Sequence, residues 1–200
     1  MSQPQRDKRI FDIVFSSATG LILLVPVLIP IALLVKLTSR GPVFFKQRRI
    51  GMDRKEFICY KFRTMKRERC QQEMHFPVYN PNDITKFGKF LRQTGLDELP
   101  QLINVIKGDM SIIGPRPLMS KQDDYFREVL PDYVKRYAIR PGITGLAQVS
   151  GFRGPVTSQE FMAERLKKDL YYIANRSPKL DTVILFKSVL SILGIQNRDK

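Results

Sequence analysis

The chain has 200 residues, enough for one domain with a sizeable hydrophobic core and an additional segment. Its 34 Lys and Arg residues outnumber 19 Asp and Glu residues, and the net charge of +15 favours an anionic partner: nucleic acid, an acidic membrane surface or a phosphorylated substrate. Two cysteines, Cys59 and Cys70, are too few for a disulfide framework, and with His75 they do not complete a zinc site. Reduced thiols in the cytoplasm are therefore expected.

An uncharged apolar run extends from Ile13 to Val35 and is long enough to cross a hydrocarbon core of about 30 Å as a straight helix. Pro26 and Pro30 lie within the run, and because each removes a backbone donor, a sharp kink is predicted there. Basic residues on both flanks favour keeping both ends in the cytoplasm. A re-entrant hairpin over residues 1–39, broken at the two prolines, is favoured over a spanning helix.

The next stretch predicts a β-hairpin, with strands over residues 43–49 and 56–65 around a Gly51–Arg54 turn. Alternation along the second strand places Lys61 and Arg63 on one face. Two neighbouring cations suit a phosphate group, and a solvated cationic face is the alternative. A polar loop is expected before a short helix over residues 84–92.

The most informative motif, TGLDELPQLINVIKGDMSIIGPRP, begins at Thr94. Asp97 is predicted to cap a helix that has Pro100 in its first turn and ends at Gly108. Its predicted buried stripe consists of Leu99, Leu102, Ile103 and Ile106. Asp97 and Glu98 would then lie at a helix N-terminus, which attracts phosphate and magnesium-bound phosphate, although an ordinary acidic helix start is the alternative.

Two arginines follow this helix in rigid turns. Residues 110–117 predict a short buried strand that runs into a turn where Pro115 and Pro117 bracket Arg116. A fixed guanidinium fork can grip phosphate oxygens with two hydrogen bonds. Arg140 likewise precedes a Pro-Gly turn, and either arginine could instead hold a helix C-terminus or a salt bridge.

Two amphipathic helices are predicted near the C-terminus. The capping box Thr157–Glu160 opens the first, and Asp181 is expected to cap a last helix over residues 182–193, ended by Gly194. The last helix would lie at a membrane interface or complete the core. The predicted fold is α/β, mostly helical with a small β-hairpin, with a catalytic domain over residues 40–200 behind the membrane segment.

The LDELPQLINVIKGDMSIIGPRP motif and RPGITGLAQVSG, from Arg140 to Gly151, together resemble the bacterial sugar transferase family, the monotopic polyprenol-phosphate phosphoglycosyl transferases. The similarity covers nearly the whole chain. The resemblance implies transfer of a sugar phosphate from a UDP-sugar to polyprenol (undecaprenyl) phosphate, with release of UMP. It also implies a re-entrant helix in the bacterial inner membrane and a catalytic domain on the cytoplasmic face.

The resemblance further implies roles for particular residues. Asp97 would be the nucleophile that forms an aspartyl-phosphosugar intermediate, and Glu98 would be a ligand of Mg²⁺. The two carboxylates are chemically alike, so their spacing alone does not separate these roles. The expected phosphate contacts are Lys61, Arg92, Arg116 and Arg140.

The stretch from Gly151 to Asp181 resembles the hexose-1-phosphate branch of the family, whose members transfer glucose or galactose. The 200 residues do not include the long N-terminal membrane extension that many members of that branch carry. The product would start assembly of an exopolysaccharide, an O-antigen or a glycoprotein glycan. Expected partners are downstream glycosyltransferases and a second copy of the chain.

Two other function classes compete with this interpretation. Basic-aromatic stretches such as FFKQRRIG and YKFRTMKRER could serve a membrane-tethered protein that binds nucleic acid or anionic lipid. No recognised nucleic-acid module is present and the basic residues are scattered, so no nucleic-acid partner is expected. An inactive subunit of a polysaccharide assembly complex is disfavoured because Asp97, Glu98 and Arg116 are all retained.

Overall fold

The computed structural model describes residues 8–14, 24–66 and 81–192, and the fold is mostly helical with two small sheets in these ranges. The helices are α1 (Ile29–Thr38), α2 (Lys86–Thr94), α3 (Gln101–Lys107), α4 (Ser120–Val129), α5 (Leu146–Val149), α6 (Gln159–Asn175) and α7 (Pro178–Ile192). The strands are β1 (Phe44–Ile50), β2 (Glu56–Phe62), β3 (Ser111–Ile113) and β4 (Gly142–Thr144). Short 3-10 turns are formed by Met52–Arg54, Pro81–Asp83, Leu96–Glu98 and Tyr133–Ala138. The α/β prediction is confirmed.

The predicted β-hairpin is present. Strands β1 and β2 pair antiparallel, with Phe44 opposite Phe62 and Ile50 opposite Glu56. The second strand ends at Phe62, earlier than predicted, and the Arg63 guanidinium turns away to bind the Ser39 carbonyl at 2.6 Å. The prediction that Arg63 lies beside Lys61 on a strand face is therefore wrong, because the chain has left the strand at that point.

The second sheet pairs β3 and β4 in parallel, with Ser111 opposite Gly142 and Ile113 opposite Thr144. All three residues of β3 are buried, as predicted for this stretch. Gly142 is required by close backbone approach, since a Cβ atom there would lie 2.1 Å from the Gly114 nitrogen. This sheet fixes where the chain leaves β3 toward Arg116.

Three clusters of buried side chains surround these sheets. One lies around β3 and includes Val105, Met110 and Ile113 together with Tyr172 of α6 and Ile184 of α7. A second joins α4 to α6, and its members are Leu118, Phe126, Leu130, Tyr133, Val156, Met162 and Leu166. The third joins α1 to the hairpin and α2 through Ile31, Val35, Phe62 and Leu91. Helix α1 is thus packed on the same body as the hairpin.

The apolar run predicted to enter a membrane is described only in part. Residues 15–23 lie outside the described residues, whereas Leu24–Leu28 form a π-helical turn that leads directly into α1. Pro26 lies within this π-helical turn, and Pro30 occupies the first turn of α1, where no N–H partner is needed. None of the helices in the described ranges is long and apolar enough to span a membrane. The re-entrant hairpin and the boundary at residue 39 stay predictions.

Three predicted helix starts are displaced in the structure. Helix α2 begins at Lys86 behind a Thr85 cap, and α6 is capped by Ser158 rather than Thr157, with the Ser158 Oγ accepting from the Phe161 N–H at 3.1 Å. Helix α7 begins at Pro178, so Asp181 lies inside its first turn and is not its cap. Proline is well suited to a first helical turn, which explains the earlier start. The predicted end at Gly194, His75 and Cys70 lie outside the described residues.

Candidate active site

Asp97 and Glu98 lie in the 3-10 turn Leu96–Glu98, one turn before α3. Gly95, with a φ of +74°, ends α2 in the left-handed region and directs the chain into this turn. The prediction that Asp97 caps the helix is wrong, because α3 starts only after Pro100, which takes the cap position. Both carboxylates are buried nonetheless, with 8% of Asp97 and 6% of Glu98 exposed.

The predicted apolar stripe of α3 is also wrong in part. Leu102 is buried, but Ile103 and Ile106 are 39% and 47% exposed. The buried face is set instead by Asn104, whose side chain accepts from the Tyr60 N–H at 3.1 Å and donates to the Ile58 carbonyl at 2.6 Å. These hydrogen bonds fix α3 against β2, and thereby bring the turn before α3 next to the strand that carries Lys61.

Glu98 is the centre of a buried ion network. Lys61 Nζ donates to Glu98 Oε1 at 2.6 Å. Arg116 grips both carboxylate oxygens, with Nη1 donating to Oε2 at 3.0 Å and Nη2 donating to Oε1. The structure therefore brings together three of the predicted site residues, from β2, from the turn before α3 and from the turn after β3.

The two neighbouring carboxylates have opposite electrostatic environments. Burial by itself raises the pKa of Glu98, but the Arg116 and Lys61 cations outweigh it and hold that pKa well below its usual range. For Asp97, burial raises the pKa above its usual range, and the cations only partly offset the effect. No hydrogen bond among the described residues ends on the Asp97 carboxylate. Glu98 is thus a paired anion, and Asp97 is a desolvated acid available to a ligand.

The two remaining predicted arginines lie in different places. Arg92 donates from Nε to the Thr64 hydroxyl at 2.8 Å, and its charge acts on Asp97 to lower the pKa of that carboxyl. Arg140 instead donates from Nε to the Gly108 carbonyl at 2.8 Å, at the end of α3. This is the helix C-terminus role that the sequence left as its alternative. Arg140 belongs to a separate cavity, lined also by Lys8, Arg9, Asp12 and Arg176.

The site also contains residues that the sequence did not single out. Arg136 donates to the carbonyl of Arg116 itself, Arg49 donates to the carbonyl of the next residue, Pro117, and Asp169 accepts from Arg136. A signal was present in α6, where the charged pair Arg165 and Asp169 falls on the buried face that Met162 and Leu166 predict. Because charged residues on a buried helix face need partners, this pattern predicts that Arg165 and Asp169 belong to a buried ion network.

The metal-binding capacity of the site rests on two carboxylates, Asp97 and Glu98. In the described part of the chain, no cluster of three or more His, Cys, Asp or Glu side chains could hold a metal ion. A magnesium ion that arrives with a nucleotide needs only one or two protein carboxylates, because water and phosphate oxygens complete its shell. A carboxylate offers about four lone-pair positions, and Glu98 accepts three N–H bonds. One position on Glu98 and the whole Asp97 carboxylate therefore fit such an ion.

Comparison with known proteins decides the family. The family model for bacterial sugar transferases matches residues 4–194. The chain belongs to this family. The expectation from the two sequence motifs is thereby confirmed, and membership argues against the nucleic-acid-binding alternative.

Similar proteins carry informative names. The chain is 45% identical over 182 residues to a UDP-glucose:undecaprenyl-phosphate glucose-1-phosphate transferase of Klebsiella pneumoniae, covering 91% of this chain and 39% of that protein. It is 45% identical over 190 residues to the exopolysaccharide production protein PSS of Rhizobium leguminosarum bv. phaseoli, covering 93% and 94%. It is 40% identical over 186 residues to a UDP-N-acetylgalactosamine-undecaprenyl-phosphate N-acetylgalactosaminephosphotransferase of Aeromonas hydrophila, covering 93% and 43%. The chain thus spans about two fifths of the Klebsiella relative and nearly all of PSS.

Proposed function

We propose that this sugar transferase moves a sugar-1-phosphate from a UDP-sugar to polyprenol phosphate and releases UMP. The observation that carries the proposal is the contrast between two adjacent buried carboxylates. Glu98 is held as an anion by Lys61 and Arg116, whereas Asp97 accepts no hydrogen bond from the described residues. The names of the Klebsiella and Aeromonas relatives, which specify undecaprenyl phosphate as acceptor, support the same reaction class.

The first half-reaction uses Asp97 as nucleophile. A UDP-sugar brings about two negative charges that oppose attack by a carboxylate, so cations must surround the diphosphate first. Lysine has three N–H donors and arginine five, so Lys61 and Arg116 keep donors for phosphate oxygens while they hold Glu98. An Asp97 oxygen then bonds to the phosphorus next to the sugar, the bond from that phosphorus to the UMP oxygen breaks, and UMP leaves with the electron pair.

The second half-reaction regenerates the site. A phosphate oxygen of polyprenol phosphate attacks the phosphorus of the aspartyl-phosphosugar, and the Asp97 oxygen leaves as a carboxylate. The product is polyprenol diphosphate-linked sugar, so atoms and charge balance over the two steps. Division into two steps lets a water-soluble donor and a lipid acceptor use one site in turn.

Magnesium is proposed as the cofactor. The remaining lone pair of Glu98 Oε2 would hold it beside the donor diphosphate, where the ion neutralises phosphate charge when bound. Lys61, Arg116 and Arg92 orient the phosphates around Asp97, whether or not the ion is bound.

Glucose is the first sugar to test. The Klebsiella relative is named for glucose-1-phosphate transfer, which agrees with the resemblance of this chain to the hexose-1-phosphate branch. The Aeromonas relative is named for an acetamido sugar, so N-acetylgalactosamine is the matched competitor. The product would be extended by downstream glycosyltransferases. Exopolysaccharide assembly is the proposed pathway, because the PSS relative is named for exopolysaccharide production.

The proposed place of action is the cytoplasmic face of the inner membrane. Apolar side chains are exposed along residues 8–14, α1 and α7, namely Ile10, Phe11, Ile13, Val14, Ile29, Leu33, Leu34, Leu37, Val183, Phe186, Val189 and Ile192. Such surfaces suit contact with lipid, where the polyprenol acceptor is found.

The test is UMP release by detergent-purified protein with Mg²⁺, undecaprenyl phosphate and a panel of UDP-sugars. We expect release with one donor, and formation of a covalent phosphosugar adduct on Asp97 when the acceptor is omitted. Asp97→Asn should abolish both signals, whereas Asp53→Asn, the same change at an exposed site, should preserve them. Activity of more than a few per cent in Asp97→Asn would exclude Asp97 as the nucleophile.

A further inference from the structure

Three consecutive carbonyls around Arg116, those of Pro115, Arg116 and Pro117, each accept a hydrogen bond from another part of the chain. The Pro115 carbonyl accepts from the Gly142 N–H at 3.0 Å. The Arg116 carbonyl accepts from Arg136 Nη2 at 2.7 Å, and the Pro117 carbonyl accepts from Arg49 Nη1 at 2.8 Å. The Arg116 carbonyl also accepts from Arg165 Nη2 at the longer distance of 3.4 Å, so three of the four donors are arginine side chains.

Arg136 is itself held on its other sides. Its Nε donates to Asp169 Oδ2 at 3.1 Å, and its Nη1 donates to the Tyr133 hydroxyl at 2.9 Å. The 3-10 helix Tyr133–Ala138 places Tyr133 and Arg136 one above the other, because that helix has three residues per turn. The Tyr133 hydroxyl in turn donates a hydrogen bond to Asp123 Oδ1 at 2.8 Å. All four side chains are buried.

Stability alone does not account for this network. Buried ion networks often contribute no more to stability than well-packed apolar side chains of similar volume would. What the network does fix is one backbone direction. Pro117 favours an extended backbone at Arg116, and the hydrogen bonds to the Arg116 and Pro117 carbonyls anchor that backbone to other parts of the chain. The anchored backbone sets where the Arg116 Cβ atom lies and therefore where its guanidinium can reach.

We infer that Arg136, held by Asp169 and Tyr133, is a positioning residue for Arg116 in the transfer reaction. It acts through the Arg116 carbonyl and contacts neither the Glu98 carboxylate nor a substrate. This inference rests on the proposed function, since it concerns the catalytic placement of the Arg116 fork. Placement matters because a shift of about 1 Å in a catalytic group can cost about 100-fold in rate.

The chain offers a matched pair of variants for the test. Tyr133 and Tyr137 each donate a hydroxyl proton to Asp123, at 2.8 Å and 2.6 Å, but only Tyr133 also accepts from Arg136. Tyr133→Phe and Tyr137→Phe therefore each remove one hydrogen bond to Asp123, and only the first also removes a hydrogen bond of Arg136. We expect Tyr133→Phe to lower kcat for UMP release roughly 10-fold with little change in KM. Tyr137→Phe should remain within about 2-fold of wild type by the same reasoning.

Each kcat is normalised to the amplitude of the UMP burst in a single turnover, which counts folded, active sites. A merely structural role would reduce the burst amplitude and leave the normalised kcat unchanged. Rescue provides a second readout that does not depend on the tyrosines. Arg136→Met leaves the Arg116 carbonyl with only the longer bond from Arg165 Nη2, whereas Arg136→Lys keeps a donor at position 136 and should recover part of the normalised kcat.

The outcomes separate this inference from the proposed function. Absence of UMP release by the wild-type protein with every donor overturns the proposed function and this inference with it. Wild-type turnover together with an unchanged normalised kcat in Tyr133→Phe overturns the positioning role alone. Equal losses in Tyr133→Phe and Tyr137→Phe also overturn it, because the cause would then be Asp123.

Discussion

At the scale of single residues, the site separates two carboxylates that the sequence could not tell apart. Glu98 balances two cations whose side chains are only 15% and 19% exposed. Asp97 has a raised pKa because it is desolvated. The chemical difference between them therefore lies in their neighbours, which come from β2 and from the turn after β3 and are distant in sequence.

This difference predicts opposite effects of two isosteric substitutions on stability. Glu98→Gln leaves Lys61 and Arg116 without their anion, and we expect it to lower the free energy of unfolding by about 1–3 kcal/mol. Asp97→Asn removes a desolvated charge, so the melting temperature should stay the same or rise. Thermal unfolding of both purified variants in one detergent is the measurement. A larger loss in Asp97→Asn than in Glu98→Gln would contradict the assignment of the paired anion to Glu98.

At the scale of elements, the sequence predicted which segments are helices and strands better than where they begin. The hairpin and the buried strand β3 follow from alternation and from a short apolar run between turn residues, and both are correct. The caps predicted at Asp97, Thr157 and Asp181 are wrong. A hydroxyl or carboxylate near a helix start can cap the helix only if its oxygen is not bound elsewhere in the fold. The Asp181 carboxylate instead accepts from the Tyr172 hydroxyl at 2.7 Å.

The start of α6 gives a direct test of the corrected cap. The Ser158 hydroxyl accepts from the Phe161 N–H, so Ser158→Ala should lower the free energy of unfolding by about 1 kcal/mol. Thr157→Ala is the matched control and should change it by less than about 0.5 kcal/mol, since Thr157 precedes the cap. Denaturant unfolding measures the free energy of unfolding of both variants. A larger loss in Thr157→Ala than in Ser158→Ala would show that Thr157 is the cap, as the capping box predicted.

The N-terminal helical segment, residues 8–14, is joined to the catalytic domain by a buried acid. Asp12 accepts from the Ile112 N–H of β3 at 3.2 Å. Burial raises the pKa of Asp12, more than the Ser111 hydroxyl and the Lys8 charge lower it. Because the folded-state pKa lies above the unfolded value, ionisation of Asp12 opposes folding as the pH rises through the raised pKa.

Asp12→Asn should therefore stabilise the protein increasingly at higher pH, since asparagine keeps the acceptor and carries no charge. We expect the melting temperature of the variant minus that of the wild type to become more positive as the pH rises above about 4, and to level off above the raised pKa of Asp12. A difference that becomes more negative with rising pH would show that Asp12 is stabilised as an anion.

At the scale of the whole molecule, the segments before and after the apolar run both contact the folded body of the protein. Before it, Arg9 donates to the Val105 and Ile106 carbonyls at the end of α3, and Lys8 pairs with Asp181 of α7. After it, Ile31 and Val35 of α1 pack on the hairpin and α2. A helix that crossed the bilayer between these contacts would place the two flanks in different compartments and break one set. We therefore expect both flanks to lie in one compartment, as the basic flanks and the prolines predict.

Cysteine labelling in intact cells tests this path. Cys59 is buried and is replaced by Ala, and Cys70 by Ser, before single cysteines are introduced at Ser2 or Lys89. Lys89 is an exposed position on α2 and reports the compartment of the catalytic domain. We expect both positions to resist a membrane-impermeant thiol reagent in intact cells and to react equally after permeabilisation. Reaction of the Ser2→Cys protein alone in intact cells would place the N-terminal flank outside, and would require residues 8–14 to leave β3 and α7.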